Sequence, residues 1–154
     1  MKPRMEYWKA APGAFRAMSS LEAYLKDSGL GEPLLHMVKL RASQINGCAY
    51  CIDMHWKDAR AAGETEQRLY GLDAWREAPY YNDRERAALQ WTESLTNITD
   101  GHVPDPVYDA ARAHFTDKEL ADLAWAVAAI NAWNRVAIAF RSEAGAYKVP
   151  RTPG

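Results

Sequence analysis

The stretch covering residues 118–141 constrains the fold of this chain more than any other. Its apolar residues recur at helical spacing on nearly every side, so the stretch predicts a long helix buried within the fold or between subunits. Thr116 and Glu119 match a capping box, in which the side chains at N-cap and N3 each accept a hydrogen bond from the other residue's backbone N–H. A fold built around such a helix needs further helices packed against it.

The rest of the chain also follows helical spacing, and no alternating pair of segments around a tight turn predicts a β-hairpin. Helices are predicted for residues 12 to 29 or 31, 33 to 46, 46 or 47 to 63, 65 to 72, 83 (as the N-cap) to 95, 105 to 114 and 118 to 141, with loops at 75–81 and 97–103. We therefore expect one all-α domain over residues 1–154, a bundle of about six to eight helices with a frayed tail at 143–154.

Charge and hydropathy exclude some classes of function. The formal net charge is −1 and the two signs are interspersed, so no basic face predicts nucleic-acid binding. The longest apolar run, residues 123–130, is too short to cross a bilayer, and the N-terminal residues lack the apolar core of a signal peptide. The sequence predicts a cytoplasmic protein with no membrane or nucleic-acid partner.

The chain has two cysteines, Cys48 and Cys51, and a histidine, His55, follows four residues after the second. A helix that begins at Asn46 or Gly47 places these three side chains on one face. The free N–H groups and the dipole at the helix N-terminus favour a thiolate there. Residues i and i+3 also lie within the Cα separation that a disulfide spans. The pattern predicts an activated thiol, a resolving thiol and an imidazole that handles protons.

Three other interpretations of the cysteines remain open. They are buried apolar residues, a structural disulfide, or ligands of a zinc ion. A disulfide that encloses two residues restrains the unfolded chain little, which disfavours a structural role. A zinc site has three ligands in Cys48, Cys51 and His55 and takes its fourth from His36, a carboxylate or water. The spacing favours redox chemistry over these alternatives.

The segment KLRASQINGCAYCIDMH at residues 39–55 resembles the alkylhydroperoxidase D-like branch of the carboxymuconolactone decarboxylase family. ERAAL and WTE within residues 85–93, and INAWNR at 130–135, also resemble segments of that branch. The resemblance covers roughly residues 5 to 145, nearly the whole chain. It implies an all-α fold that assembles into homotrimers or homohexamers.

The resemblance also implies a thiol-dependent hydroperoxide reductase without a cofactor other than its cysteine pair. Carried over to this chain, Cys51 attacks the peroxide, Cys48 is its disulfide partner and His55 is the relay histidine. A separate thiol or dithiol carrier then reduces the disulfide. A redox-sensing or scaffolding helical oligomer and a zinc-binding protein are the alternative functions.

One position departs from the family pattern. The relay glutamate of the family lies twelve residues before the first cysteine, and this chain has His36 there. Either His36 takes over the relay, sharing roughly one proton with His55, or Glu85 supplies the acid from another helix. We expect His102 and His114 at the surface, and packing roles for the residues that interrupt the last apolar helix: Asn131, Trp133 and Asn134.

Overall fold

The structure is a computed structural model that describes residues 2–150. Eight α-helices and one 3₁₀ turn form the secondary structure of this part of the chain, which has no strand. The helices are α1 (Tyr7–Ala10), α2 (Pro12–Lys26), α3 (Glu32–Asn46), α4 (Ala49–Ala61), α5 (Glu66–Tyr70), α6 (Asp83–Thr96), α7 (Asp105–Arg112) and α8 (Asp117–Phe140), with the 3₁₀ turn Gly71–Ala74 after α5. The predicted all-α fold is confirmed.

Helix α3 lies at the centre of the bundle, where it packs against α4, α6 and α8. The main core joins α2, α3, α6, α7 and α8 through fully buried aliphatic and aromatic side chains. Its largest contributors include Leu25, Val38, Trp91, Leu123 and Val127. Apolar burial of this extent stabilises the bundle by the hydrophobic effect, and it fixes the positions of α3 and α8 beside the cysteine pair.

Helix α8 is buried on one side only. Leu123, Val127 and Ile130 pack inside the bundle, whereas Trp125 is 59% exposed and Ile138 is 47% exposed. Within residues 2–150, α8 is the one helix whose length and apolarity suffice to cross a membrane, a test that the core helix of a soluble protein also passes. The part of the chain that the structure describes therefore does not bury this helix all round, and large apolar side chains on one face are exposed.

Two capping boxes set the starts of helices α6 and α8. Thr116 and Glu119 form the predicted one, with Thr116 N–H donating to Glu119 Oε2 at 2.9 Å. At α6 the N-cap is Asn82, so the prediction of Asp83 is wrong by one residue. Asn82 Oδ1 accepts from Glu85 N–H and Glu85 Oε2 accepts from Asn82 N–H, both at 2.9 Å. Glu85 lies three residues after Asn82, and this reciprocal pair selects Asn82 over its neighbour.

The turn between α3 and α4 shifts the start of the cysteine helix. Gly47 adopts a left-handed conformation with φ 69°, which ends α3, and Cys48 N–H donates to Ser43 O at 3.0 Å. Helix α4 therefore begins at Ala49, and Cys48 is its N-cap. The prediction that Cys48 lies inside the first turn is corrected by this one position.

A buried network of polar side chains ties this turn to α8. Asn46 Nδ2 donates to Asn131 Oδ1 at 2.9 Å and to Asn134 Oδ1 at 2.8 Å. Asn134 Nδ2 in turn donates to Ser43 Oγ at 3.0 Å. Asn131 and Asn134 thus have packing roles, as predicted, and they fix the residues just before Cys48.

The described part of the tail is ordered on α4 rather than frayed. Gly145 N–H donates to Asp53 Oδ2 at 3.1 Å, Lys57 Nζ donates to Tyr147 O at 3.0 Å, and the Tyr147 hydroxyl donates to Asp58 Oδ1 at 2.7 Å. Chain ends are ordered where they are held by hydrogen bonds of this kind. Residues 151–154 of the predicted tail lie outside the described residues.

Candidate active site

Cys48 and Cys51 are joined by a disulfide across the N-terminus of α4, with their Cα atoms 5.4 Å apart. Each cysteine is 1% exposed, and His55, one turn further along α4, is 7% exposed. The pair packs against α8 and α3 through apolar residues, among them Ala42, Ile130 and Ala137. The three residues predicted from the motif therefore lie on one buried face of α4.

A cavity of about 330 Å³ opens beside this face. It is lined by Tyr7, Phe15, Glu22, His36, Lys39, Tyr50, Cys51, Met54, His55, Asp58, Trp133 and Ala137. The walls are mostly aromatic and aliphatic, with a few charged groups at one end, as in most small-molecule sites. Cys51 faces this cavity, whereas Cys48 is not among the described residues that line it. The two cysteines thus have unequal access to a small molecule.

Helix α3 brings His36 to His55, as the relay position predicted. The two ring centroids are 6.3 Å apart. The Nδ1 atoms of both rings are buried, and neither has a hydrogen-bond partner among residues 2–150. Buried polar atoms are normally paired, so two neighbouring unpaired imidazole nitrogens make this point a candidate for a site.

Asp58 is the carboxylate of this site, and the sequence analysis missed it. One nitrogen from each histidine and one Asp58 oxygen all lie within 4.8 Å of one another. The available signal was spacing, because Asp58 follows His55 by three residues and so shares its helix face. The Tyr147 hydroxyl bonds to the same carboxylate at 2.7 Å and holds it at the cavity edge.

Burial controls the protonation of the two histidines. Desolvation lowers the pKa of His55 to about 3, with the positive charge of Lys39 and the neighbouring His36 adding to the effect. Desolvation also lowers the pKa of His36, although Asp58 acts in the opposite direction. Both imidazoles are therefore neutral at neutral pH, which differs from the shared proton that the sequence suggested.

An ion pair closes the charged end of the cavity. Lys39 of α3 pairs with Glu22 of α2, and Trp133 Nε1 donates to Glu22 Oε1 at 3.1 Å. This contact fixes three helices at the cavity wall. Sequence reasoning assigned no site role to Glu22 or Lys39, since they come from different helices and their spacing in the sequence does not predict the contact. Trp133 lines the cavity as well as packing.

The structure places Glu85 apart from this group. Its carboxylate pairs with Arg68 Nη2 at 2.6 Å and caps α6, and it is not among the described residues that line the cavity. Because Glu85 forms an ion pair with Arg68, its presence is explained without a role for Glu85 at the cysteines. His102 and His114 are exposed, as predicted.

The chain matches the carboxymuconolactone decarboxylase family over residues 12–94. The uncharacterized protein YdfG of Bacillus subtilis is 42% identical over 144 residues, which cover 94% of this chain and 98% of YdfG. A protein of unknown function from Agrobacterium tumefaciens, described as a candidate AhpD antioxidant defence protein, is 45% identical. Its crystal structure superposes with a TM-score of 0.91 over 95% of this chain and 100% of that one.

An uncharacterized peroxidase-related protein from Ralstonia eutropha, with an alkylhydroperoxidase AhpD core, shares the fold. Its TM-score is 0.80 at 24% identity, over 91% of this chain and 75% of that one. The buried cysteine pair with its histidine, the helical architecture and these similarities agree. The chain belongs to the carboxymuconolactone decarboxylase family, in its alkylhydroperoxidase D-like branch.

Proposed function

We propose that the protein is a thiol-dependent hydroperoxide reductase. One observation carries the proposal: Cys51, bonded to Cys48, faces a largely apolar cavity beside the buried His55 imidazole. A peroxidatic cysteine needs access to a small molecule, a nearby proton carrier and a resolving thiol. The similarity to proteins described as antioxidant or peroxidase-related supports the same reaction class.

The reaction has two thiol steps. The Cys51 thiolate attacks one oxygen of the peroxide, the O–O bond breaks, and the products are a Cys51 sulfenic acid and an alkoxide. The alkoxide takes up one proton to leave as an alcohol. The Cys48 thiol then attacks the sulfenic sulfur, which forms the disulfide and releases water. An external dithiol returns two electrons and two protons, restores both thiols and becomes oxidised itself.

Proton movement in this scheme depends on His55, which is neutral beside the disulfide. In the reduced protein the negative charge that develops on Cys51, one turn away, favours protonation of the imidazole, which passes the thiol proton to the departing alkoxide. One ligand atom each from Asp58, His36 and His55 lies within 4.8 Å of the others, so small side-chain rotations bring Asp58 or His36 within hydrogen-bond reach of the His55 ring. We propose that Asp58 takes over the relay role of the family glutamate, because His36 occupies the position of that glutamate in this chain.

An assay of peroxide consumption tests the proposal. Hydrogen peroxide and an alkyl hydroperoxide are each offered to the reduced protein with small dithiols and with dithiol carrier proteins. We expect catalytic turnover with at least one dithiol, and one disulfide formed per peroxide consumed without any reductant. Absence of turnover with every reductant, together with a change in assembly on oxidation, favours the redox-sensing alternative.

Variants of the relay have graded effects. We expect His55→Ala to lower the rate of peroxide reduction by about 100-fold, the lower range for loss of a positioned proton carrier. Asp58→Asn and His36→Ala act through His55 and lower the rate of peroxide reduction less, by roughly 10-fold each. His36→Glu restores a carboxylate at the family position and keeps or raises the rate. The measurement is the pH profile of the single-turnover rate.

Glu85→Gln is the matched control for the relay variants, because it removes a carboxylate that lies away from the cavity. It keeps the wild-type rate and pH profile. A loss of rate in Glu85→Gln, combined with full activity in His36→Ala and Asp58→Asn, contradicts the proposed relay. Glu85 would then be the acid of the relay.

We also propose that the protein self-associates, as a homotrimer or homohexamer, through the exposed face of α8. The face carries the exposed Trp125 and a groove of about 550 Å³ lined by Ala124, Ala128 and Ala132 among others. Large exposed apolar surface on a helix is typical of subunit contacts. Light scattering should give three or six times the chain mass of 17.3 kDa. The Trp125→Glu substitution should lower the measured mass of the assembly. A wild-type mass of 17.3 kDa at micromolar concentration contradicts the proposal.

The reductant sets the compartment. We propose a cytoplasmic enzyme, because dithiol carriers are kept reduced there and the cycle consumes one dithiol per peroxide.

A cavity that has aromatic walls and a charged end suits an organic hydroperoxide with one polar group. Comparison of hydrogen peroxide with an aromatic hydroperoxide in the same assay checks this preference.

A further inference from the structure

His36, His55 and Asp58 form a compact set of donors for a metal ion. One ligand atom from each lies within 4.8 Å of the others. The buried Nδ1 atoms of the two histidines have no hydrogen-bond partner in the part of the chain that the structure describes. We propose that these three residues bind a divalent transition metal ion, with zinc the best fit, and that the bound ion blocks peroxide reduction.

The donor set matches zinc in type and number. Zinc takes imidazole nitrogen at about 2.0–2.1 Å and carboxylate oxygen at about 2.0–2.2 Å, and sites with three protein ligands keep a water in the fourth position. Two atoms bound to one zinc ion lie about 3.4 Å apart in a tetrahedral site, as these bond lengths require. The ligand atoms lie within 4.8 Å of one another, so they must close by up to about 1.4 Å to reach this separation.

The fold keeps the donors close and ready to bind. His55 and Asp58 are one turn apart on α4, and His36 comes from α3, which packs along α4. The Tyr147 hydroxyl holds Oδ1 of Asp58 and orients the carboxylate, as outer-shell partners do in metal sites.

An open path leads to this point. A second cavity, of about 650 Å³, reaches His36 and Asp58 from outside and carries the carboxylates of Glu22 and Glu32. Lys26 and Lys39 also line it, and they form ion pairs with Glu32 and Glu22. A cation that enters here therefore passes two ion pairs before it reaches the Asp58 carboxylate.

The site is distinct from a zinc site at the cysteines. It uses no sulfur ligand, so the disulfide form of the protein retains it. The blocking effect rests on the proposed function, because a metal bound to His55 occupies the nitrogen lone pair that accepts the thiol proton. Zinc binding itself does not depend on that function.

The test uses the oxidised protein, whose cysteines are tied up in the disulfide, after removal of metal with a chelator. Cobalt(II) is titrated as a spectroscopic probe and zinc by calorimetry. We expect one equivalent to bind, with the visible cobalt bands of a low-coordinate nitrogen and oxygen site. His36→Gln and Asp58→Asn each weaken binding by more than about 100-fold, beyond the loss from an outer-shell change. His114→Ala, which removes an exposed histidine, leaves binding unchanged.

Two results overturn the proposal. One is the absence of saturable cobalt and zinc binding by the oxidised wild-type protein. The other is wild-type affinity in the His36→Gln/Asp58→Asn double variant, whose folding is checked by circular dichroism. The blocking effect is measured separately, as zinc inhibition of the reduced enzyme that a chelator reverses. Failure of peroxidase activity leaves the binding result intact, so the two proposals fail independently.

Discussion

We expect Cys51→Ser to consume no peroxide above the rate of a protein without cysteines, and Cys48→Ser to react once and then stop. Cys51 faces the cavity and lies one helical turn from His55, so we expect it to be the sulfur that meets the peroxide. Cys48 packs behind it against Ala42 and Ile130 and has no such access. Without Cys51 the first bond cannot form. Without Cys48 the sulfenic acid forms and has no thiol to condense with.

A sulfenate-specific reagent and mass spectrometry measure this difference. After one equivalent of peroxide, the label should appear on Cys51 in the Cys48→Ser variant. Thermal unfolding of the reduced variants beside the reduced wild type controls for folding. A label on Cys48 in the Cys51→Ser variant, with none on Cys51 in the other, reverses the two roles.

The second large effect is on stability at acid pH. The pKa of His55 is lowered to about 3 in the fold, chiefly by burial, whereas an unfolded histidine has a pKa of about 6.5. Between these values the unfolded chain binds a proton that the folded protein does not. The free energy of unfolding therefore falls as pH falls through this window, by up to about 1.4 kcal/mol per pH unit. Above about pH 6.5 the contribution of His55 is constant.

Urea unfolding of the oxidised protein at pH 7, 6 and 5 measures this slope. His55→Gln keeps most of the side-chain volume and removes the titration, so the comparison isolates His55 from the carboxylates. Between pH 7 and 5 the wild type should lose about 2 kcal/mol more stability than the variant. The slope is compared rather than the absolute stability, because the substitution also changes packing. Equal slopes would show that His55 takes up its proton within the folded state.

Much of the fold followed from local pattern. The capping box at Thr116 and Glu119 and the proline and glycine breaks depend on residues a few positions apart, and such signals can be read from sequence. The N-cap of α6 was missed by one residue, because Asn82 and Asp83 are both good caps and only the spacing to Glu85 separates them. The order of the tail was missed because its partners, Asp53, Lys57 and Asp58, lie on a distant helix.

The residues of the candidate site also fall into two groups, those predicted from a local motif and those brought together by helix packing. Cys48, Cys51 and His55 belong to one short motif, and their shared helix face follows from spacing. Glu22 and Lys39 reach the cavity from two other helices, and their positions follow from how α2 and α3 pack, which no local pattern encodes. The place of Asp58 on the His55 face follows from helical spacing, but the family pattern has its relay carboxylate before the cysteines rather than after them.

The N-cap position of Cys48 links the redox state of the pair to the end of a helix. In the disulfide, the Cys48 side chain accepts no hydrogen bond from the first turn of α4. Reduction frees its sulfur to accept one from those N–H groups, and the helix dipole stabilises the resulting negative charge. Stabilising the reduced form raises the reduction potential, as in disulfide proteins that act as strong oxidants. We therefore expect the N-terminus of α4 to favour the dithiol form of the pair over the disulfide.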